Sequence, residues 1–211
     1  MIPEKSPRAA DYGVEYKILP QGKTWDLSQT NFEKLKTDFK QSQHRHIEIA
    51  DLRSFLAKKI EQMLDQNVSR TDFAQRFQEI IDQYNAGTSA TENSYAALVD
   101  FAESLRQEEE RHIRENLTPE ELELFDLLKK DKMTAAETQQ VKLAARLLLD
   151  RLQAQYPKVL VQDWHRDDQS QRQVRAVVET VLDQNLPTTY SHQLFTEKCD
   201  RILTLMLDRA G

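Results

Sequence analysis

Glycine and cysteine are scarce in this chain, and their scarcity excludes several kinds of protein. Four glycines in 211 residues are too few for the tight turns of a β-sandwich or barrel. No GxxxxGK[ST] string occurs either, so the chain lacks the phosphate-binding loop of an ATPase or helicase. The single cysteine, Cys199, cannot form an internal disulfide and favours a reducing compartment. We therefore expect a cytoplasmic protein without a nucleotide site of its own.

Long apolar runs and an excess of positive charge are also missing. No stretch approaches the roughly 18 apolar residues of a membrane span, and the first residues do not resemble a signal peptide. The net charge is −6, from 29 basic and 35 acidic residues, so bulk electrostatics should not attract the chain to nucleic acid. Carboxylates are dispersed rather than gathered on a sheet, which argues against a metal-dependent nuclease. We expect no membrane association, no catalytic residues and no metal or nucleotide cofactor in this chain.

What the sequence does contain is a series of amphipathic helices. Apolar residues recur at helical spacing in every organised segment, as in the stripes Leu52-Leu56-Ile60, Phe73-Phe77-Ile81, Tyr95-Leu98-Val99-Ala102, Val174-Val178-Val181 and Phe195-Cys199-Ile202. This periodicity predicts an all-α fold, an irregular multi-helix bundle in which the stripes bury one another. Residues 1–27 are expected to be an extended linker or tail, and residues 28–211 a helical domain with a possible subdivision near residue 116.

Several helix boundaries are marked by capping residues. Thr118 precedes Glu121 by three residues, with Pro119 between them, and Thr134 precedes Glu137 in the same way; both patterns are typical of capping boxes. We also predict that Ser69, three residues before Asp72, begins a helix that ends at Gly87. The acid-rich end of the next helix, Glu108-Glu109-Glu110, is expected to be solvated. The run Val159-Leu160-Val161 is interpreted as a connector.

Few residues are candidates for chemistry. His44 and His46 form the nearest approach to a metal pair, but no further ligands are predictable and solvent exposure is the simpler interpretation. Cys199 lies in an apolar stripe and is expected to be a core thiol rather than a nucleophile. Trp164 lies close to Arg166 and Arg175, a combination of apolar area and directional donors that suits a partner contact. Burial in the core is the competing explanation for Trp164.

Several strings, taken in order, resemble the carboxy-terminal region of type I restriction enzyme R subunits. The resemblance spans roughly Asn31 to Arg209. It is carried by Ile49-Ala50-Asp51-Leu52-Arg53, Phe73-Ala74-Gln75-Arg76-Phe77-Gln78-Glu79-Ile80-Ile81, Tyr84-Asn85-Ala86-Gly87, Glu108-Glu109-Glu110-Arg111, Leu117-Thr118-Pro119-Glu120-Glu121-Leu122, Asp163-Trp164, Val174-Arg175, Val181-Leu182-Asp183, Leu186-Pro187, Tyr190 and Lys198-Cys199-Asp200.

The resemblance implies a role in a larger enzyme. A full R subunit has an amino-terminal nuclease and two helicase-like motor lobes, which need ATP and magnesium, and a helical end that meets the methyltransferase. This chain would be that helical end, without chemistry of its own. The preferred hypothesis is an assembly module that binds the methyltransferase (modification) and specificity subunits through Trp164, Arg166 and Arg175. The alternatives are a helical module that contacts DNA, and an independent metal enzyme built around His44 and His46.

Overall fold

The computed structural model describes residues 25–88, 90–155 and 163–210. In these ranges the chain forms α-helices and short 3-10 helices and no strand, which confirms the all-α prediction. The helices are α1 (Phe32–Gln41), α2 (Arg45–Gln66), α3 (Thr71–Asn85), α4 (Thr91–Glu109), α5 (Arg111–Arg114), α6 (Pro119–Leu128), α7 (Ala135–Gln155), α8 (Asp168–Asn185) and α9 (His192–Ala210), with 3-10 turns at Val68–Arg70 and Trp164–Arg166. Most of the expected linker and the expected Val159–Val161 connector lie outside the described residues.

The first apolar core lies among α1 to α4, which we call the N-terminal bundle. Its centre is aromatic: the rings of Phe39 and Tyr95 stack with centroids 3.8 Å apart, and Phe101 of α4 contacts two rings of α3. Leu27 is only 5% exposed and belongs to this core, although the sequence pattern had placed it in the linker. These aromatic contacts attach both α1 and α3 to α4.

A second, separate core lies among α6 to α9, which we call the C-terminal bundle. Leu128, Leu148, Val178 and Ile202 are fully buried there. Each of α6 to α8 packs against the helix that follows it, and α6 also contacts α9, so the four helices close around this core. Val178 lies on the buried face of α8 as the valine spacing predicts, because packing outweighs the weak helix propensity of valine.

Local capping signals placed two helices correctly. Thr118 accepts a hydrogen bond from the Glu121 amide, and Glu121 accepts one from the Thr118 amide, so α6 begins with the predicted capping box. Thr134 and Glu137 make the same reciprocal pair before α7, with N···O distances of 2.8 and 3.2 Å. Gly87 follows α3 with φ of +65°, a left-handed conformation that glycine adopts without strain.

One boundary prediction was wrong, and a second holds only in part. Helix α3 begins at Thr71, not Ser69, because the 3-10 turn at Val68–Arg70 precedes it. In that turn the side chain of Asn67 accepts a hydrogen bond from the Ser69 backbone N–H. The end of α4 is solvated only in part, since Glu110 is exposed whereas Glu108 is not. The Glu108 side chain is only 12% exposed because Arg70 of the 3-10 turn and Arg111 of α5 both pair with it.

None of the described helices is long and apolar enough to cross a membrane.

Candidate partner-binding groove

The C-terminal bundle has an open groove of about 640 Å³. Helices α6, α7 and α9 and the 3-10 turn at Trp164 form its described walls. Its apolar lining consists of Leu124, Leu149, Leu152, Trp164, Leu205, Met206 and Ala210. A largely apolar concave surface with a few polar groups at its rim is the usual form of a binding site. We call this surface the α6–α9 groove.

Helical spacing explains why these apolar side chains share one surface. Leu149 and Leu152 are three residues apart on α7, and Met206 and Ala210 are four apart on α9, so each pair lies on one face of its helix. The chain reaches the groove again at Asp163, whose φ of 63° is left-handed. This turn leads directly into the 3-10 helix that carries Trp164.

Trp164 is 7% exposed, belongs to the C-terminal core and lines the groove. Most of the indole is therefore buried by the protein, as the core interpretation expects, and the remainder lines the groove. A contribution to stability is certain from this burial. A contribution to binding remains a prediction.

The two arginine candidates differ from Trp164 and from each other. The Arg166 side chain is 76% exposed, and its Nη1 atom lies 3.6 Å from an Asp163 carboxylate oxygen, a loose contact. Arg175 instead bridges Asp200 at 2.7 Å and Glu179 at 2.8 Å. Those two carboxylates, Asp200 foremost, raise the pKa of Arg175. Neither arginine lines the groove, and the charge of Arg175 is already balanced.

Acidic groups predominate at the rim of the groove. Glu120 and Asp163 are exposed there, and the buried Glu123 lines the groove together with His165 and Arg209. Glu123 pairs with the Arg209 guanidinium at 2.6 Å. Burial raises the pKa of Glu123, while the Val68 amide and Arg209 act in the opposite direction. Such a rim does not favour phosphate groups.

The other candidates for chemistry lie away from the groove. No group of three or more potential metal ligands occurs in the part of the chain that the structure describes. The Nδ1 atom of His46 lies 3.4 Å from the Tyr84 hydroxyl at the surface of the N-terminal bundle. Cys199 is 1% exposed, and burial raises the pKa of its thiol to about 11. The thiolate that a nucleophile requires is therefore disfavoured.

Sequence reasoning missed two buried acids of α6, one of which, Glu123, also lines the groove. Glu123 and Asp126 are buried in α6, with exposures of 2% and 6%, and they contact the N-terminal bundle. A signal for them was present. The segment Leu122-Glu123-Leu124-Phe125-Asp126-Leu127-Leu128 carries apolar residues on every side, which is typical of a helix that is buried all round. Its two acids must then be buried with it.

Comparison with known proteins gives one clear result. A family model described as "Type I restriction enzyme HindI endonuclease subunit-like, C-terminal" matches residues 19–207. No curated protein and no solved structure showed significant similarity to the chain.

Proposed function

Because this chain belongs to the family of C-terminal domains of type I restriction endonuclease subunits, we propose that it is a non-catalytic assembly module. In this proposal it attaches the ATP-dependent, DNA-translocating endonuclease subunit to the modification and specificity subunits in the cytoplasm. ATP and magnesium would serve other domains of the same subunit, and this chain would bind its partners without either. The nuclease activity would likewise belong to those other domains.

The observation that supports docking most directly is the α6–α9 groove. Its apolar walls include Leu149, Met206 and Ala210, which are only partly buried by the chain itself. Covering such walls with apolar side chains of a partner removes their surface from water, which contributes roughly 25 cal/mol per Å² before the costs of association. The acidic rim adds a preference for a partner segment with a basic residue beside its apolar side chains.

The proposed occupant is therefore an apolar segment of a modification subunit, flanked by lysine or arginine. Glu120 is exposed at the rim and is available to pair with such a cation. A rim pair of this kind orients the partner more than it strengthens binding. The apolar contact with the Trp164 side of the groove would supply most of the affinity, as buried aromatic anchors commonly do.

Co-purification with the cognate modification and specificity subunits tests this proposal. Met206→Gln places an amide in the groove, and we expect roughly tenfold weaker association, the equivalent of about 1.4 kcal/mol. The matched control is Leu143→Gln, the same kind of change at a leucine that is 50% exposed on α7 and outside the groove. The control should bind as the unmodified chain does. The proposal is wrong if no complex forms, or if both variants lose affinity equally.

Salt dependence separates this proposal from DNA contact by the same module. Apolar docking changes little between about 50 and 200 mM salt, whereas a surface that contacts several phosphates loses orders of magnitude in affinity over that range. The balanced charge of Arg175 and the acidic rim favour the first outcome. Tight, salt-sensitive binding to duplex DNA without a complex with the other subunits would establish the DNA-contacting alternative instead.

A further inference from the structure

The two bundles meet through polar side chains rather than through a shared apolar core. The N-terminal core ends at Leu105 and the C-terminal core begins at Leu117 in the chain. In space, the side chains between the two cores are polar and nevertheless buried. Their exposures are 1% for Asn67, 7% for Arg70 and 2% for Glu123. Buried polar groups must be paired, and their pairing is directional. The contact between the bundles thus depends on a few specific bonds.

Glu123 makes the first set of these bonds. One of its carboxylate oxygens accepts the Val68 amide at 3.1 Å, and the other lies 2.6 Å from the guanidinium of Arg209. Arg209 also donates to the Gln66 carbonyl at 3.1 Å. One carboxylate of α6 therefore joins the end of α9 to the point where α2 ends and the 3-10 turn begins.

Asp126, three residues later on α6, makes the second set. It accepts a hydrogen bond from the side-chain Nδ2 of Asn67 at 3.0 Å and forms ion pairs with Arg111 and, at 3.1 Å, with Lys129. Its side chain is 1% exposed. Asn67 belongs to the N-terminal bundle and Arg111 to the short helix α5 between the bundles, so this carboxylate fixes both to α6.

The remaining ion pairs of the junction form a connected network. Glu108 at the end of α4 pairs with Arg70 at 3.0 Å and with Arg111 at 3.1 Å. The charged groups that form ion pairs at this junction are Arg70 from the 3-10 turn, Glu108 from α4, Arg111 from α5, Glu123 and Asp126 from α6, Lys129 after α6, and Arg209 from α9. Other charged groups line the same pocket as Asp126: Asp72 from α3, and Glu197, Asp200, Arg201 and Asp208 from α9. Within the ion pairs three carboxylates face four cations, and removing one charge leaves an opposite charge without its partner.

We propose that Glu123 and Asp126 form an ionisable latch that sets the angle between the two bundles, and that neutralising Glu123 lets the bundles reorient without unfolding. Each bundle keeps its own apolar core when the latch opens. The Arg209 side chain is 44% exposed, so water can solvate its charge after the ion pair is lost. The latch does not depend on the proposed docking function, although Glu123 and Arg209 also line the α6–α9 groove.

Acidification is one way to neutralise Glu123. Burial raises the pKa of this carboxyl above its ordinary value of 4.5, against the opposing effect of the Val68 amide and the cations Arg209 and Arg70. A carboxyl whose pKa is higher in the folded state takes up its proton there first. The contribution of such a carboxyl to the stability of the fold is present below its ordinary pKa, and it is lost as the pH rises through the raised pKa of the folded state. Protonation therefore removes the Arg209 ion pair without a loss of stability from this group.

Distance measurements between the bundles test the latch. Spin labels at Lys58→Cys and Gln173→Cys, both exposed positions, report the separation in a chain that also carries Cys199→Ala. We expect one narrow distance distribution for this parent at neutral pH and a broader one for Glu123→Gln. The Val68 amide should exchange with solvent roughly tenfold faster in Glu123→Gln, because its acceptor loses its charge. Far-UV circular dichroism should remain helical.

Two further variants make the result decisive. Glu120→Gln is the matched control, because Glu120 lies one turn earlier on α6 and is exposed; its distances should equal those of the parent. Arg209→Gln removes the same ion pair by changing its more exposed partner, and it should broaden the distance distribution. This variant tests the proposal if Glu123→Gln does not fold. Either of two results overturns the proposal. One is unchanged distances in Arg209→Gln, and the other is unchanged distances together with unchanged Val68 exchange in a folded Glu123→Gln.

Discussion

Replacing Trp164 by alanine separates the two roles that this residue can have. The side chain is 7% exposed and packs in the core of the C-terminal bundle. Its truncation removes the largest side chain of the 3-10 turn and leaves a cavity. Arg166 in the same turn provides a matched comparison, since its side chain is 76% exposed and makes only a loose ion pair with Asp163.

The expected loss of stability follows from burial and from the position of the cavity. Truncation of a buried tryptophan costs about 3–5 kcal/mol. Trp164 lies next to the open groove, so water can enter part of the space left by the indole. We therefore expect a value near the lower limit, about 3 kcal/mol. For a chain of this size that corresponds to a melting temperature lower by roughly 6–12 °C.

Urea unfolding followed by circular dichroism measures this loss, and partner binding is measured on the same variants while they are fully folded. Arg166→Ala should stay within about 0.5 kcal/mol of the unmodified chain, as exposed substitutions usually do. A stability of Trp164→Ala within that same margin refutes the reasoning, because a core tryptophan cannot be removed without cost. Weakened binding together with unchanged stability would identify Trp164 as a surface anchor only.

Three other predictions concern the core, the thiol and a helix cap. Val178→Asp places an unpaired charge at a position with 0% exposure and should cost about 4 kcal/mol or prevent folding, as measured by urea midpoint. Cys199, with 1% exposure and a pKa raised to about 11, should react with iodoacetamide only as fast as the bundle opens; rapid alkylation of the native chain, detected by mass spectrometry, would contradict its burial. The Thr134 amide, with Thr189 and Lys130, lowers the pKa of Glu137 to about 2. Its contribution to stability is present above the ordinary pKa of 4.5 and is lost as pH falls through about 2, so Glu137→Gln should lose less stability than the unmodified chain between about pH 5 and pH 2.

Features that depend on neighbouring residues could be predicted from the sequence. The capping boxes at Thr118 and Thr134 need only a partner three residues later, and both form as expected. The valine stripe of α8 is a matter of spacing alone. The start of α3 could not be placed in the same way, because Asn67 and Ser69 are both good caps and the local sequence does not rank them. The bond from the Ser69 amide to Asn67 decides the boundary.

Features that depend on distant residues could not be predicted. Arg209 lies 2.6 Å from Glu123, yet the two are far apart in the chain, and Arg70 meets Glu108 across an interval of 38 positions. An acid-rich helix end such as the one that contains Glu108 is usually solvated, and nothing nearby in the chain indicates that Arg70 pairs with it. The groove could not be predicted for the same reason, because its walls come from three helices, α6, α7 and α9. The apolar residues of these walls also resemble ordinary core residues in the sequence.

The separation of the two apolar cores gives a physical reason for the buried carboxylates of α6. Leucines at positions 123 and 126 would bury apolar area, and replacing buried ion pairs by apolar residues is often neutral or stabilising. Apolar contact is non-directional, so it would hold the bundles together without fixing their angle. The bonds of Glu123 to Val68 and Arg209, and of Asp126 to Asn67, specify one geometry. Since α6 also forms a wall of the groove, the residues that fix this angle are continuous with the surface proposed for the partner.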